Sequence, residues 1–223
     1  MVISIHQETM TTQAPHYLSI RENWQAEANK GGAAHENDVA SAFETYFSTA
    51  AGADFEYIHK PKQLDQCFLE YQYKKNPSAY AKPAEPKKDD IFYDETAKRF
   101  KKFTGKSWTD AKEGMAPDGM IRCKTTGKAV CLEDKNQNDA GNAHERAYRY
   151  ATPKVVKAIQ EKLGITHQPV FWVFSGSIAT NNKYIHEFAF HLDEDHYVLL
   201  KPTDDKATLL VAWFNRVIRA LLV

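Results

Sequence analysis

Asp118, in Pro117-Asp118-Gly119, and Glu133 and Lys135, in Leu132-Glu133-Asp134-Lys135, are the residues whose types and spacing could do chemistry. Alternate side chains of a strand share a face. Ala129, Cys131, Glu133 and Lys135 would therefore point one way while Val130 and Leu132 point into the core. Glu133 and Lys135 would meet at the open end of that strand, and a preceding hairpin strand could bring Asp118 beside them. Two carboxylates converging with a lysine suit metal-assisted hydrolysis of a phosphodiester. Carboxylate oxygens hold Mg²⁺ together with waters and a substrate phosphate. The ion stabilises charge on the phosphoryl oxygens and lowers the pKa of a bound water, and the lysine positions that water or neutralises the transition state. The same residues also fit a solvated cross-strand charge pair beside a turn, because a Pro-Asp followed by Glu-x-Lys often arises by chance.

The segment Gly141-Asn142-Ala143-His144-Glu145-Arg146 begins six residues after Lys135. A helix starting at Gly141 would turn its free N–H groups and positive dipole end outward, toward phosphate. Asn142, Arg146 and Arg149 stand at i, i+4 and i+7, on one face. Asparagine pairs bidentately with adenine edges and arginine reads guanine or spans adjacent bases in the major groove. A catalytic strand feeding a base-reading helix tip would couple recognition to cleavage. An ordinary amphipathic helix with solvated charges has the same spacing.

The elements that must carry these residues are legible in outline. With 43% hydrophobic and 26% charged residues, the 223-residue chain has an ordinary globular composition, which excludes wholesale disorder and fibrous repeats. Its 29 basic and 29 acidic residues leave no global basic field, so any nucleic-acid footprint must be local. Three cysteines without a CxxC pair argue against a disulfide framework or zinc ribbon. Residues 1–10 lack a basic leader, and the longest apolar run, 170–174, is too short to cross a bilayer, so a cytoplasmic protein with no membrane association is expected.

Residues 1–30 are polar without a sustained period and read as an N-terminal arm. Val39, Ala42, Phe43, Tyr46, Phe47 and Ala50 fall at helical spacing, with Gly52 as the stop. Residues 55–59 fit a short strand. Residues 74–90, with Pro77, Pro83 and Pro86 among lysines, read as an exposed loop. Residues 94–103 fit a short helix, and Lys98, Arg99, Lys101, Lys102 and Lys106 form the densest basic cluster, a solvated face or a phosphate contact.

Strands are expected at 120–122 and 129–133, and a helix over 141–150. A second helix should be capped by Thr152, begin at Pro153, stop at Gly164 and bury Val155, Val156, Ile159 and Leu163. A strand at 170–175 reads as buried on both faces, followed by a hairpin of 184–192 and 196–200. A last helix over 206–222 would bury Leu209, Leu210, Trp213, Val217 and Leu221. His186, His191 and His196 match no zinc spacing and read as surface or packing residues. The sum is an α/β class, a central mixed sheet flanked by helices, in a single domain spanning 1–223.

The Gly-Asn-Ala-His-Glu-Arg string with Asp118, Glu133 and Lys135 upstream resembles the EcoRI/MunI-like group of type II restriction endonucleases, in the PD-(D/E)XK nuclease superfamily. Asn23-Trp24-Gln25-Ala26, Lys60-Pro61-Lys62, Ala116-Pro117-Asp118 and Phe171-Trp172-Val173-Phe174 carry the likeness in order from about residue 23 onward. The resemblance implies a PD-(D/E)XK core acting as a homodimer on palindromic double-stranded DNA. Asp118 and Glu133 would ligate Mg²⁺ and Lys135 would be the catalytic lysine. Ala140, Gly141, Asn142, Ala143, His144, Arg146 and Arg149 would form the DNA-binding segment, reading an AATT core, with Asn142 and Arg146 on bases. His144 would contact phosphate or pack at the dimer interface, and Glu145 would orient arginines across subunits. Cleavage before AATT, 5′ overhangs and a cognate DNA methyltransferase are implied as well.

The chain departs from the family at Asp134, where relatives place a small or apolar residue, and in a shorter link from Lys135 to Gly141. It also has Ala140 where an arginine helps read the outer base pair, so the outer specificity does not carry over. Asp134 is expected on the core side of the strand, which favours Glu133 as the ligand and leaves Asp134 as the alternative to it. The alternatives are a nuclease of the same superfamily with a repair or nicking role, and a sequence-specific DNA-binding protein that does not cleave.

Overall fold

The structure, a computed structural model, describes the backbone of residues 16–137 and 147–223, with side chains from residue 31 onward. In chain order the elements are α1 (His16–Phe47), β1 (Phe55–His59), α2 (Cys67–Tyr73), β2 (Ile91–Asp94), β3 (Arg99–Phe103) and β4 (Trp108–Asp110). There follow β5 (Gly119–Cys123), β6 (Ala129–Gln137), α3 (Pro153–Leu163), β7 (Val170–Gly176), α4 (Asn182–His191), β8 (Tyr197–Leu200) and α5 (Lys206–Trp213). The last helix runs on through a π-turn, Phe214–Ile218, into Arg219–Leu222.

The large sheet has the order β1-β5-β6-β7-β8. Its β1, β5 and β6 strands pair antiparallel, and β6, β7 and β8 pair parallel, so the sheet is mixed as expected. Both of its faces are covered. Val130, Leu132, Phe171 and Val173 meet Val39 and Phe43 of α1 and Trp213 and Phe214 of the last helix. Ala129, Cys131, Trp172 and Phe174 meet Ile159 of α3 and Phe188 of α4. The expected alternation along β6 therefore holds, but the face carrying Ala129 and Cys131 is also core. All three cysteines are free and buried.

The second sheet, β2-β3-β4, replaces the helix expected over 94–103. Asp94 Oδ1 accepts from the N–H groups of Thr96 and Ala97, each at 3.0 Å, and Lys98 takes φ 52, which closes the turn. Charge density carried the helical expectation, and charge has no period. The basic residues are largely matched: Lys98 to Glu95, Arg99 and Lys101 to Asp110, and Lys102 to Asp89 and Glu113.

Three further expectations are corrected. Residues 16–30 of the expected arm are the first half of α1, and residues 1–15 lie outside the described residues; a polar segment has no apolar stripe from which to read a helix. Residues 184–192 are helical, not the first strand of a hairpin. Asn181 caps α4 by accepting from the Lys183 N–H, and Tyr184, Phe188 and Leu192 face the second core at a spacing of four. The apolar residues at 184, 188, 190 and 192 also fit period two, but Phe190 is 84% exposed. In the last helix the π-turn inserts a residue and rotates the lower half. Leu210, Trp213, Phe214, Ile218 and Leu222 are buried, Val217 and Leu221 only partly so, and Leu209 is 38% exposed. Helix α3 keeps its expected limits, with Thr152 at the N-cap, Pro153 first and Gly164 following.

Candidate active site

β6 is the strand on which the site is built. It lies between β5 and β7, and Gly119 pairs with Leu132, which sets Asp118 one step further along, beside Glu133. The main chain of Asp118 is fixed from the other side, where its carbonyl accepts from the Lys60 N–H at 3.1 Å. Gly119 is required by a close approach: a Cβ there would enter the Tyr57 ring. That ring stacks on Phe43 of α1, so the packing of the first helix reaches the residue next to Asp118.

Lys135 Nζ is the centre of the cluster. It donates to Glu133 Oε2 at 2.7 Å, to Asp118 Oδ2 at 3.1 Å and to the Asp134 carbonyl at 3.0 Å. The side chain of Glu133 is 5% exposed, against 17% for Lys135 and 19% for Asp118. Burial pushes the Glu133 carboxyl up to about 7 despite the opposing charge of Lys135. Burial alone would lower the Lys135 ammonium, but the charges of Glu133 and Asp118 outweigh it and hold Lys135 above the ordinary lysine value. Lys135 is therefore a cation here.

Asp134 takes part through its backbone. Its N–H donates to Asp118 Oδ2 at 2.8 Å. Its carboxyl lies on the α1 side of the sheet, continuing the row of Val130 and Leu132. Both its oxygens are buried without a hydrogen-bond partner, as is Tyr57 Oη, on which the charge of Asp134 acts. Burial, then the charge of Asp118, holds that carboxyl well above the aspartate range.

Glu133 Oε1 is buried and unbonded, and it points to a missing positive partner. Two hard carboxylates with an orphaned oxygen fit a divalent cation by donor type, although no cluster of three or more metal-ligating side chains occurs among the described residues.

The sequence matches the family model for the type II restriction enzyme MunI over residues 13–223. The chain belongs to the MunI family of type II restriction enzymes. It is 29% identical over 220 residues to the type II restriction enzyme MunI of Mycoplasma sp., covering 92% of this chain and 97% of that one. The crystal structure of MunI restriction endonuclease in complex with cognate DNA matches the fold, with a TM-score of 0.58, 23% identity and coverage of 90% of this chain and 98% of that chain. This family membership makes the chain a restriction endonuclease, an enzyme of the nuclease class. No described helix is long and apolar enough to cross a membrane.

Asp118, Glu133 and Lys135 thus stand together as expected from the sequence. Ala140, Gly141, Asn142, Ala143, His144, Glu145 and Arg146 lie outside the described residues. The chain is helical at Ala147 and Tyr148, and turns at Arg149 and Tyr150. Arg149 is exposed in that turn, its guanidinium 4.5 Å from the Tyr150 ring centroid and donating to Tyr150 Oη at 2.6 Å. Its charge reaches Glu133. His191 packs on Tyr148 with ring centroids 4.4 Å apart and tilted by 37°, His196 sits edge-on to Phe171, and His186 is exposed, so these histidines are packing or surface residues as expected. Reading the motifs alone overlooks Gln66, which ties the small sheet to the site, and the lysines around Asp118. The Lys60-Pro61-Lys62 string was the available signal.

Proposed function

We propose that this enzyme hydrolyses phosphodiester bonds in both strands of palindromic double-stranded DNA with an AATT core, leaving 5′ overhangs and depending on Mg²⁺. The observation that carries the reading is Lys135 held by both Asp118 and Glu133 within 3.1 Å, in a chain of this family. Asp118 and Glu133 would hold the divalent cation, with Glu133 Oε1 as the oxygen still lacking a partner. Bound there, the ion supplies charge for the phosphoryl oxygens and a water of lowered pKa. Lys135, kept protonated by its two carboxylates, orients the attacking water and offsets negative charge as the phosphorus becomes five-coordinate. The Asp134 N–H fixes the rotamer of Asp118, so the site costs little reorganisation when substrate arrives.

In this reading Gly141 to Arg146 reads the bases, with Asn142 and Arg146 as the contacts and Arg149 on the adjacent backbone. The enzyme works as a single domain per subunit in a homodimer in the cytoplasm, beside a cognate methyltransferase that protects host DNA. Digestion of plasmid DNA with Mg²⁺, with every fragment end sequenced, tests it. Discrete double-strand ends sharing AATT support the reading, and the flanking bases identify the outer pair. Discrete ends without AATT overturn the specificity. Single-strand nicks by a monomer favour a repair or nicking role. Sequence-specific binding without cleavage in either Mg²⁺ or Mn²⁺ leaves a DNA-binding protein.

A further inference from the structure

A cleft of about 280 Å³ opens directly beside Asp118, between the loop after β1 and the loop entering β5. Pro61, Met115 and Pro117 are buried in its lining, and Lys60, Lys62 and Lys112 stand exposed around it. With liquid water at about 30 Å³ per molecule, the space takes a phosphate group together with its sugar. The charged lining is three lysines against Asp65 and Asp118. Lys60 is engaged, 2.7 Å from Glu36 of α1, and its backbone is held at φ 44. The side chains of Lys62 and Lys112 make no hydrogen bond or ion pair among the described residues, and the Lys62 carbonyl accepts from the Asp65 N–H at 3.1 Å.

The cleft is firmly built. Met115 N–H donates to the Leu64 carbonyl at 3.0 Å, and a Cβ on Gly114 would strike the backbone of Leu64 and Asp65. Gln66, which follows Asp65 of the lining, donates to the carbonyls of Phe100 and Ala111 and accepts from the Phe100 N–H. Those bonds fasten the small sheet to the wall of the cleft. Residues 74–113 carry eleven lysines and arginines against seven acidic residues, net +4, so in a neutral chain the remainder is net −4. Lys112, in the cleft lining, belongs to this net-positive segment.

We infer that this cleft seats a backbone phosphate of the strand being cut, next to the scissile one, held by Lys62 and Lys112. The inference rests on the nuclease reading above and adds to it a positioning site outside the catalytic trio. A phosphate fixed here sets the register of the strand along the Asp118 edge, because successive phosphates are one nucleotide apart. Lys62 and Lys112 are exposed and touch no core, so removing them leaves the fold intact.

The test compares the full-length wild type with Lys62→Ala, Lys112→Ala, the double variant, Lys62→Arg, and Lys157→Ala on the exposed face of α3 as control. Binding to a linear plasmid fragment without divalent metal is measured across salt concentrations, and cleavage of the same plasmid is measured with Mg²⁺. Each cleft holds one phosphate and the dimer has two clefts, so the double variant should reduce the log K against log [salt] slope by roughly 1.8, and each single alanine by part of that. The double variant should raise KM about tenfold with kcat within about threefold, and Lys62→Arg should recover the wild-type slope. Slopes and KM equal to those of Lys157→Ala would overturn the site, as would a fall in kcat at unchanged slope. If the wild type cuts normally while the double variant is indistinguishable from it, only the cleft fails. If the wild type neither binds nor cuts the plasmid, the nuclease reading fails and this inference with it.

Discussion

The main-chain N–H of Asp134 donates to the Asp118 carboxylate at 2.8 Å, while the Asp134 carboxyl lies on the other face of β6 with both oxygens unbonded. One residue therefore supports the site through its backbone and burdens the core through its side chain. An unpaired buried polar group costs about 1–3 kcal/mol. Asp134→Val, a β-branched side chain opposite Val173, should keep the backbone bond and raise stability at pH 8 by about 1 kcal/mol or more. Cleavage should stay within a few-fold of wild type. Denaturant melts and plasmid-cleavage rates check both, and loss of cleavage would show that the carboxyl itself takes part.

Lys135 separates two carboxylates that would otherwise face each other. Lys135→Met should cost the metal-free protein about 3 kcal/mol at pH 8, because two charges lose their common partner. Cleavage should fall by about 10²-fold or more while plasmid binding persists. Unfolding midpoints measured with and without Mg²⁺ separate the two effects. Cleavage at the wild-type rate would mean that the lysine is structural only.

Glu133 sets a pH dependence whose sign follows from burial. Its folded value, about 7, lies above the ordinary 4.5, so the folded state keeps a proton that the unfolded chain gives up. The associated stability is full below pH 4.5 and is lost as pH rises to about 7. In metal-free protein the melting temperature should fall across that window by a component absent from Glu133→Gln. With Glu133 as the proposed ligand, divalent-cation affinity should change the other way, tightening by up to about tenfold per pH unit below 7, because a carboxylate must lose its proton to ligate. Thermal melts from pH 4.5 to 8, with and without Mg²⁺, test both signs.

Gln66 is buried and makes three hydrogen bonds to main-chain groups of Phe100 and Ala111. Gln66→Leu keeps much of the volume and strands those groups, at a cost of about 2–4 kcal/mol. The loss should be local. Amide hydrogens of β2, β3 and β4 should exchange faster, while those of β6 and β7 keep their protection. Uniform acceleration over both sheets would mean that the small sheet has no separate hinge at Gln66.

Much of this protein is determined by local pattern. The β-branched and aromatic run of β7 is buried on both faces whatever surrounds it, the Thr152-Pro153 start and Gly164 stop delimit α3, and Glu133 and Lys135 share a face because strands alternate. The types and order of Asp118, Glu133 and Lys135 already specify the chemistry they can do. Other features depend on partners distant in sequence. Residues 184–192 satisfy both period two and period four, and only the second core, which takes Phe188 and leaves Phe190 outside, makes them helix. The hairpin of β2 and β3 depends on Asp94 closing a turn and on Phe100 reaching Gln66. A carboxylate in sequence has no burial. It is the closing of β5, β6 and the segment at Ala147 and Tyr150 around Glu133 that removes water from it, raises its pKa and leaves one oxygen open. The tertiary structure likewise decides that Asp134 turns away from the site, and that lysines some fifty residues apart meet beside Asp118.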